Sequence, residues 1–235
     1  MTASEETARF LRGLAHELRT PLGSILILTE LLEDGPEPLS ASQGDRVRKI
    51  GLAAADLKEL VEQVSVYAKA ADGRLAATPS AVDLEALVGE LRQAFAERAR
   101  ARGLELAVEW RPEAPRSLAT DREILRRALS HLLEHAMGAT AEGRIELGVA
   151  REAGEAVLTV RDGGSPVAAD ERAALFEPFP PGVRIRRSSG GTALALPLAK
   201  ALAGVLEGRL EARDAGGRGC LFTLSLPLTV AGDSG

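Results

Sequence analysis

Apolar residues recur every three or four positions through the first 71 residues, in two long stretches separated by a short polar turn. This is the period of an amphipathic helix, and it predicts one helix over residues 4 to 34 and another over residues 42 to 71. The turn Asp34-Gly35-Pro36-Glu37-Pro38 ends the first helix and makes the pair a helical hairpin. Each apolar face is too wide for one hairpin to cover, so the pattern predicts a homodimer whose two hairpins form a four-helix bundle. The apolar positions are Phe10, Leu14, Leu18, Leu22, Ile25, Leu28 and Leu32 in the first helix, and Val47, Ile50, Ala54, Leu57, Val61, Val64 and Tyr67 in the second.

The pattern changes near Asp72-Gly73 and Ala77-Thr78-Pro79-Ser80, where turn-forming residues cluster. We therefore expect two domains, over residues 1–75 and residues 80–230. In the second domain, short strand-like and helix-like periods alternate, which predicts an α/β sandwich with helices on one face of an antiparallel sheet and makes the whole chain α+β. The predicted elements are a short strand and a helix over 82–101, a strand over 104–110, a helix over 121–140, strands over 145–149 and 157–161, a helix over 193–206, and strands over 210–212 and 221–226.

The composition narrows the class of protein. Of the 235 residues, 45% are hydrophobic but only 3% are aromatic, so the core must be built mainly from Leu, Ala and Val. A formal net charge of -5 argues against a nucleic-acid partner, because nucleic-acid binders usually carry a basic face. The single cysteine, Cys220, excludes an intramolecular disulfide and any zinc cluster built on cysteines. No run is long and apolar enough for a membrane span, so we expect a cytoplasmic protein without a membrane segment in this chain.

The first helix contains a histidine with an adjacent carboxylate. Residues 14–22 read Leu-Ala-His-Glu-Leu-Arg-Thr-Pro-Leu, so that Glu17 follows His16 directly and Thr20 lies one helical turn beyond it. A carboxylate that takes or orients the ring proton makes an imidazole a better nucleophile. Pro21 removes a helical hydrogen bond and favours a kink close to the histidine. A surface histidine without a chemical role is the alternative interpretation.

This segment resembles the phosphoacceptor box of the sensor histidine kinases of two-component systems. The resemblance implies that ATP phosphorylates His16 and that the phosphoryl group passes to an aspartate on the receiver domain of a response regulator. It further implies that Glu17 polarises the imidazole ring, that Thr20 positions the water or acceptor in dephosphorylation, and that Pro21 bends the helix to make His16 accessible.

The second half resembles the catalytic, ATP-binding domain of the same kinases, whose fold is shared with the gyrase and Hsp90 ATPases. Asp162 and Gly164 match the box whose aspartate accepts a hydrogen bond from the adenine amino group, although Pro166 replaces the second glycine of that box. Residues 176–179, Phe-Glu-Pro-Phe, match the apolar box before the nucleotide lid and assign Phe179 to the cofactor site. Gly191 and Thr192 lie in a segment similar to the glycine-rich phosphate box, in which Ala193 and Ala195 replace two glycines.

The largest departure from the family lies in residues 126–136, which keep the spacing of the box that holds magnesium. His131 and His135 occupy both of its asparagine positions. By resemblance these two residues belong to the cofactor site, and His135 stands where the family binds Mg²⁺ between the phosphates. Magnesium prefers oxygen ligands, so imidazole is a poor substitute. Glu134 could contribute an oxygen, and Glu134 and His135 are therefore the predicted metal ligands for an ATP–Mg²⁺ cofactor.

Several functions stay open at this point. Since the phosphoacceptor box is intact and three nucleotide boxes are altered, we expect weak or absent autophosphorylation. The chain is then a divergent kinase, a pseudokinase that acts as a histidine phosphotransferase or phosphatase without ATP, or a module whose pocket serves only regulation. A remote alternative is a zinc site, because His131, Glu134 and His135 fit the spacing H-x-x-E-H.

Overall fold

The computed structural model describes residues 3–36, 38–178 and 194–228. The chain divides into two compact units, Met1–Leu75 and Ala76–Gly235.

The first unit is a hairpin of two long helices, α1 (Ala3–Glu33) and α2 (Ala41–Ala71). The helix α1 continues through Pro21 without interruption. Ser40 begins α2 with a reciprocal cap, in which its side chain accepts from the Gln43 backbone N–H and the Gln43 side chain accepts from the Ser40 backbone N–H. Both predicted helices are thus confirmed. No helix in the described parts of the chain is long and apolar enough to cross a membrane.

The two helices meet along a narrow seam that takes one position from each heptad. Ala15, Leu22 and Thr29 of α1 are buried at seven-residue spacing. The same spacing recurs in α2, where the buried residues of the seam are Val47, Ala54, Val61 and Ala68. The neighbouring heptad positions are exposed, although they are large and apolar. They comprise Leu14, Leu18, Ile25, Leu28 and Leu32 of α1 and Ile50, Leu57 and Leu60 of α2.

The second unit alternates short strands and helices along the chain. Its elements are β1 (Ser80–Asp83), α3 (Leu84–Arg100), β2 (Leu104–Trp110), β3 (Ser117–Thr120), α4 (Arg122–Ala139), β4 (Gly143–Glu152), β5 (Glu155–Arg161), a 3₁₀ turn (Ala174–Phe176), α5 (Ala195–Val205), β6 (Arg209–Asp214) and β7 (Cys220–Pro227). The strands form a five-stranded sheet with the order β2-β4-β5-β7-β6 and a separate two-stranded sheet, β1-β3. The helices pack on these sheets, with α4 and α5 against each other and α3 against β2. This architecture confirms the predicted fold class.

The direction of one strand pair corrects the sequence prediction. The strands β2 and β4 are parallel, with Leu104 opposite Gly143, whereas every other pair in the sheet is antiparallel. A wholly antiparallel sheet was the expectation, and it is wrong because alternation of apolar residues sets the faces of a strand but not the direction of its neighbour. The helix α4 supplies the crossover that a parallel pair requires.

The core of the second unit is aliphatic, as the composition predicts. Leu125, Leu129 and Leu132 of α4 are fully buried, as are Ile145 and Leu158 of the sheet. Pro197 is tolerated in α5 because it lies in the first turn, where its missing N–H has no helical partner to lose. The only tryptophan of the chain, Trp110, ends β2 and has the Arg116 guanidinium 4.8 Å from its ring centroid.

Candidate functional site

His16 lies near the middle of α1, and its side chain is exposed. Glu17 and Thr20 are exposed as well, so all three predicted residues of this site are accessible on the same helix. Pro21 lacks the N–H that would bond to the Glu17 carbonyl, so the helix loses one hydrogen bond immediately after His16. The site is therefore open to a large reaction partner.

A groove of about 540 Å³ between α1 and α2 begins at His16. Most of the charged side chains that line it are cations, which favours a phosphate or another anion over a neutral ligand. Its lining residues are Arg9, Arg12, Gly13, His16 and Arg19 of α1, and Ser65 and Lys69 of α2.

Two ion pairs join the helices on either side of His16. Arg19 binds Glu62 through two hydrogen bonds of 2.8 and 3.2 Å, and Arg12 binds Asp72. The hydrogen bond from Arg19 lowers the pKa of Glu62, and the same bond raises the pKa of Arg19. These pairs fix the register of α2 against α1, and so they decide which residues of α2 face the histidine.

In the second unit, Asp162 follows β5 and is 3% exposed. Its Oδ1 atom accepts hydrogen bonds from the backbone N–H groups of Gly164, at 2.8 Å, and Cys220, at 3.2 Å. Burial raises the pKa of Asp162, and the two N–H groups act in the opposite direction. No described residue hydrogen-bonds to the other carboxylate oxygen, so that oxygen is available to a ligand's donor.

Thr140 ties the end of α4 to the loop that follows Asp162. Its hydroxyl donates to the Ala136 carbonyl, at 2.7 Å, and accepts from the Gly163 N–H, at 2.9 Å. Gly164 packs so closely on this helix end that a Cβ atom would lie 2.9 Å from the Ala139 carbonyl oxygen. The helix carrying His135 and the loop carrying Asp162 are thus held together at one end of the unit.

His135 packs against an aromatic cluster. Its ring meets the edge of Phe222 at a centroid distance of 5.2 Å, and Phe222 in turn meets Phe176 at 6.4 Å. Lys200 of α5 places its Nζ 4.9 Å from the Phe176 ring centroid. Burial lowers the pKa of His135 to about 4, so the imidazole is neutral at pH 7.

His131 and Glu134 face each other on α4, with 3.3 Å between the histidine Nδ1 and a glutamate oxygen. Among the described residues, no three His, Cys, Asp or Glu side chains cluster closely enough to hold a metal ion. The residues therefore fit a Mg²⁺ site poorly, because Glu134 is engaged with His131 while His135 offers a nitrogen packed against Phe222. The assignment of Glu134 and His135 to Mg²⁺ stays a prediction.

Two family models match the chain, one in each unit. Residues 6–73 match the His Kinase A (phospho-acceptor) domain. Residues 120–230 match the histidine kinase-, DNA gyrase B- and HSP90-like ATPase. The chain belongs to the histidine kinase family. The resemblance stated from its motifs is confirmed.

Members of this family match almost the entire length of the chain. The alginate biosynthesis sensor protein KinB of Pseudomonas aeruginosa is 28% identical over 94% of the chain, which covers 37% of KinB. The sensor protein TorS of Escherichia coli K12 is 30% identical over 97% of the chain, which covers 25% of TorS. The crystal structure of full-length ShkA in complex with AMPPNP superposes with a TM-score of 0.82 at 27% identity, over 95% of this chain and 46% of ShkA. The chain therefore spans between a quarter and about two fifths of the length of these two curated relatives.

Some residues assigned from the sequence lie outside the described parts of the chain. They are Phe179, Gly191 and Thr192, all predicted to contact the nucleotide. The residues that the structure describes form two groups, His16 with Glu17 and Thr20 in the first unit, and the ends of α4 and β5 with His135, Asp162 and Gly164 in the second.

Sequence reasoning missed four residues that shape these sites. Thr140 and Gly219 position the Asp162 loop, and Ser65 and Lys69 face His16 across the groove. A glycine-rich turn at residues 216–219 was a visible signal for Gly219. Nothing local marks Ser65 or Lys69, because they meet His16 only once the hairpin has formed.

Proposed function

We propose that this chain is the transmitter part of a two-component signalling protein, in which His16 carries a phosphoryl group and passes it to an aspartate on a response regulator receiver domain. One observation carries the proposal: the exposed imidazole of His16 opens onto a groove lined by Arg9, Arg12, Arg19 and Lys69. Cations stabilise the charge of a phosphoryl group before, during and after its transfer. Glu17, exposed beside the histidine, is the residue that orients its ring proton.

ATP is the proposed phosphoryl donor, bound by the second unit. Asp162 supports this assignment because its backbone contacts hold one carboxylate oxygen and leave the other for the adenine amino group. ShkA, which shares the fold, binds AMPPNP. When bound, ATP supplies the γ-phosphoryl group that His16 receives, while the side chains of the second unit hold and orient the nucleotide.

A homodimer is the proposed assembly. The large apolar residues exposed along α1 and α2 recur at two heptad positions beside the covered seam, as expected for helices that pack on a second hairpin. A dimer would remove these side chains from water without any change within the hairpin.

Incubation with Mg-ATP labelled at the γ-phosphate tests the proposal. We expect weak, acid-labile label on the wild-type chain and none on His16→Gln, because amide nitrogen is not nucleophilic. The control is Lys49→Gln, an exposed residue of α2 that lies outside the groove and outside the assigned nucleotide site. Label that persists on His16→Gln would show that another residue is the acceptor.

A second candidate function is phosphotransfer without ATP, as in a pseudokinase or a phosphatase. The packing of His135 against Phe222 favours it, because an imidazole fixed on an aromatic ring replaces the oxygen ligand that Mg²⁺ prefers. This candidate predicts no label from ATP, but exchange of phosphoryl groups between His16 and a phosphorylated receiver domain. Absence of both reactions would leave the chain as a binding module.

A further inference from the structure

The helix α2 presents two polar side chains to His16 across the groove. Ser65 and Lys69 are four residues apart, so they project from the same face of α2 in successive turns. Both line the groove that His16 opens onto, and the Arg12–Asp72 and Arg19–Glu62 pairs hold them in that register.

The cations that line the groove differ in whether they already form ion pairs. Arg12 is paired with Asp72, and Arg19 is held by Glu62 through two hydrogen bonds. Lys69 is exposed and forms no ion pair with any residue in the described ranges. Its ammonium group is therefore the cation that can approach an anion at His16 without breaking an existing pair.

Ser65 offers a hydroxyl that is not committed to another residue. The residue is 5% exposed, and no described residue hydrogen-bonds to its hydroxyl. Among the described residues, Asp72 Oδ1 is the one side-chain oxygen that is both shielded from water and unpaired, so the Ser65 hydroxyl is open to the groove. This hydroxyl lines the groove, where a donor would meet an anion attached to His16.

We propose that Ser65 and Lys69 form, with His16, a phosphoryl-binding site in which the serine hydroxyl and the lysine ammonium contact the phosphoryl oxygens during transfer. This assignment rests on the proposed function of His16 and names two residues outside its phosphoacceptor box. As one imidazole nitrogen forms its bond to phosphorus, the bond from phosphorus to the leaving group breaks and its electron pair departs with that group. The second ring nitrogen keeps its proton, and Ser65 and Lys69 stabilise the charge on the three oxygens that are transferred.

Phosphoramidate tests the site in the full chain without ATP as the phosphoryl donor. This small donor transfers its phosphoryl group to imidazole and releases ammonia, and tandem mass spectrometry of the full chain distinguishes His16 from His131 and His135. We expect Lys69→Gln to slow phosphorylation of His16 by roughly five- to tenfold, and Ser65→Ala to slow it severalfold. Lys69→Arg, which keeps the charge, should restore most of the rate. The matched controls are Lys49→Gln and Ser42→Ala, exposed residues of the same helix outside the groove.

A second measurement needs no reaction. Inorganic phosphate is titrated against the His16 imidazole signals in NMR spectra, and Lys69→Gln and Ser65→Ala should each bind it more weakly than their controls. Equal rates and equal phosphate affinities in variants and controls would overturn the proposed site, even if ATP labels His16. A different outcome would separate the two proposals. If the rate of His16 phosphorylation by phosphoramidate depends on Lys69, but neither ATP nor a phosphorylated receiver domain labels the chain, then the site is supported and the proposed function is refuted.

Discussion

At the scale of single residues, His135 has surroundings that favour the neutral imidazole. Its ring meets Phe222 edge to face at a centroid distance of 5.2 Å. Burial is the dominant cause of its lowered pKa, since no acidic side chain is paired with it. A group that is neutral when folded and readily protonated when unfolded makes stability depend on pH.

His135→Asn should remove this dependence. The pKa of His135 falls from the ordinary 6.5 to about 4 in the folded chain, so acid protonates the unfolded chain first. The stabilisation is complete above pH 6.5 and is lost as the pH falls from 6.5 towards 4. We expect the free energy of unfolding of the wild type to fall by about 2 kcal/mol more than that of His135→Asn between pH 7 and pH 5.

Urea unfolding at several pH values measures this difference. His131→Asn is the control, because it retains His135 and should follow the wild type. Asp162 is common to all three proteins, and its raised pKa acts in the opposite sense by favouring the folded chain as pH falls. Parallel pH curves for His135→Asn and the wild type would contradict the assignment of a buried neutral imidazole.

Asp162→Asn separates ligand binding from folding. The amide oxygen can still accept from the N–H groups of Gly164 and Cys220, so the free energy of unfolding at pH 7 should change little. The amide NH₂ replaces the acceptor offered to adenine, and affinity for ATP should fall by about tenfold or more, or about 1.4 kcal/mol. Calorimetric titration with ATP measures the change, and an unaltered affinity would place the adenine elsewhere.

At the scale of elements, the turn between β6 and β7 supports the Asp162 loop through its backbone. Gly219 has a φ of 77°, and a Cβ atom there would lie 2.7 Å from the Asp162 carbonyl carbon. Gly216 has nearly the same φ, 79°, but open space where its Cβ would be. Comparing substitutions at the two glycines therefore distinguishes the cost of backbone strain from the cost of steric contact.

Gly219→Ala should destabilise the second unit more than Gly216→Ala does. Left-handed backbone strain is common to both substitutions and amounts to about 1–2 kcal/mol. The contact with Asp162 adds about 1–3 kcal/mol at position 219 only. Urea unfolding of both variants gives the comparison, and equal losses would mean that the Asp162 loop moves away without resistance.

The elements also define what the sequence could and could not predict. Periodicity located α1, α2 and α4 within a residue or two, because each buries a continuous face. It missed β3, a strand of four residues between a proline-rich turn and the cap of α4, which pairs with the short strand β1. Motifs singled out His16 and Asp162 as candidate site residues, because each lies in a recognisable local pattern. The groove facing His16 escaped prediction, because Lys69 is more than fifty residues away and only the register of the hairpin brings it there.

At the scale of the whole molecule, the packing of α1 on α2 leaves large apolar side chains of the hairpin exposed. Leu28 is 58% exposed and Leu32 is 52% exposed, on the helix that carries His16. Their spacing matches the seam of a coiled coil, and burying them against a second hairpin would stabilise a dimer through the hydrophobic effect.

Leu28→Glu should convert the proposed dimer to a monomer. Such a dimer would bury two copies of Leu28. Placing two carboxylates in the dimer interface should weaken association by at least about a hundredfold. Sedimentation equilibrium of the full chain gives the association constant. Arg48→Gln is the control, since it changes the charge equally at a position on α2 that is 66% exposed and two residues from the apolar row. Dimers of equal strength in both variants would place the interface on another surface.

The division of the chain into two units gives each unit its own optical reporter. Trp110 is the only tryptophan and belongs to the second unit, where the Arg116 guanidinium covers its ring. Tyr67 is the only tyrosine and belongs to α2 of the first unit, where burial raises its pKa. Tryptophan fluorescence therefore follows the unfolding of the second unit alone. Ionisation of Tyr67 at alkaline pH reports the opening of the hairpin. The native chain can thus be followed one unit at a time, without an introduced label.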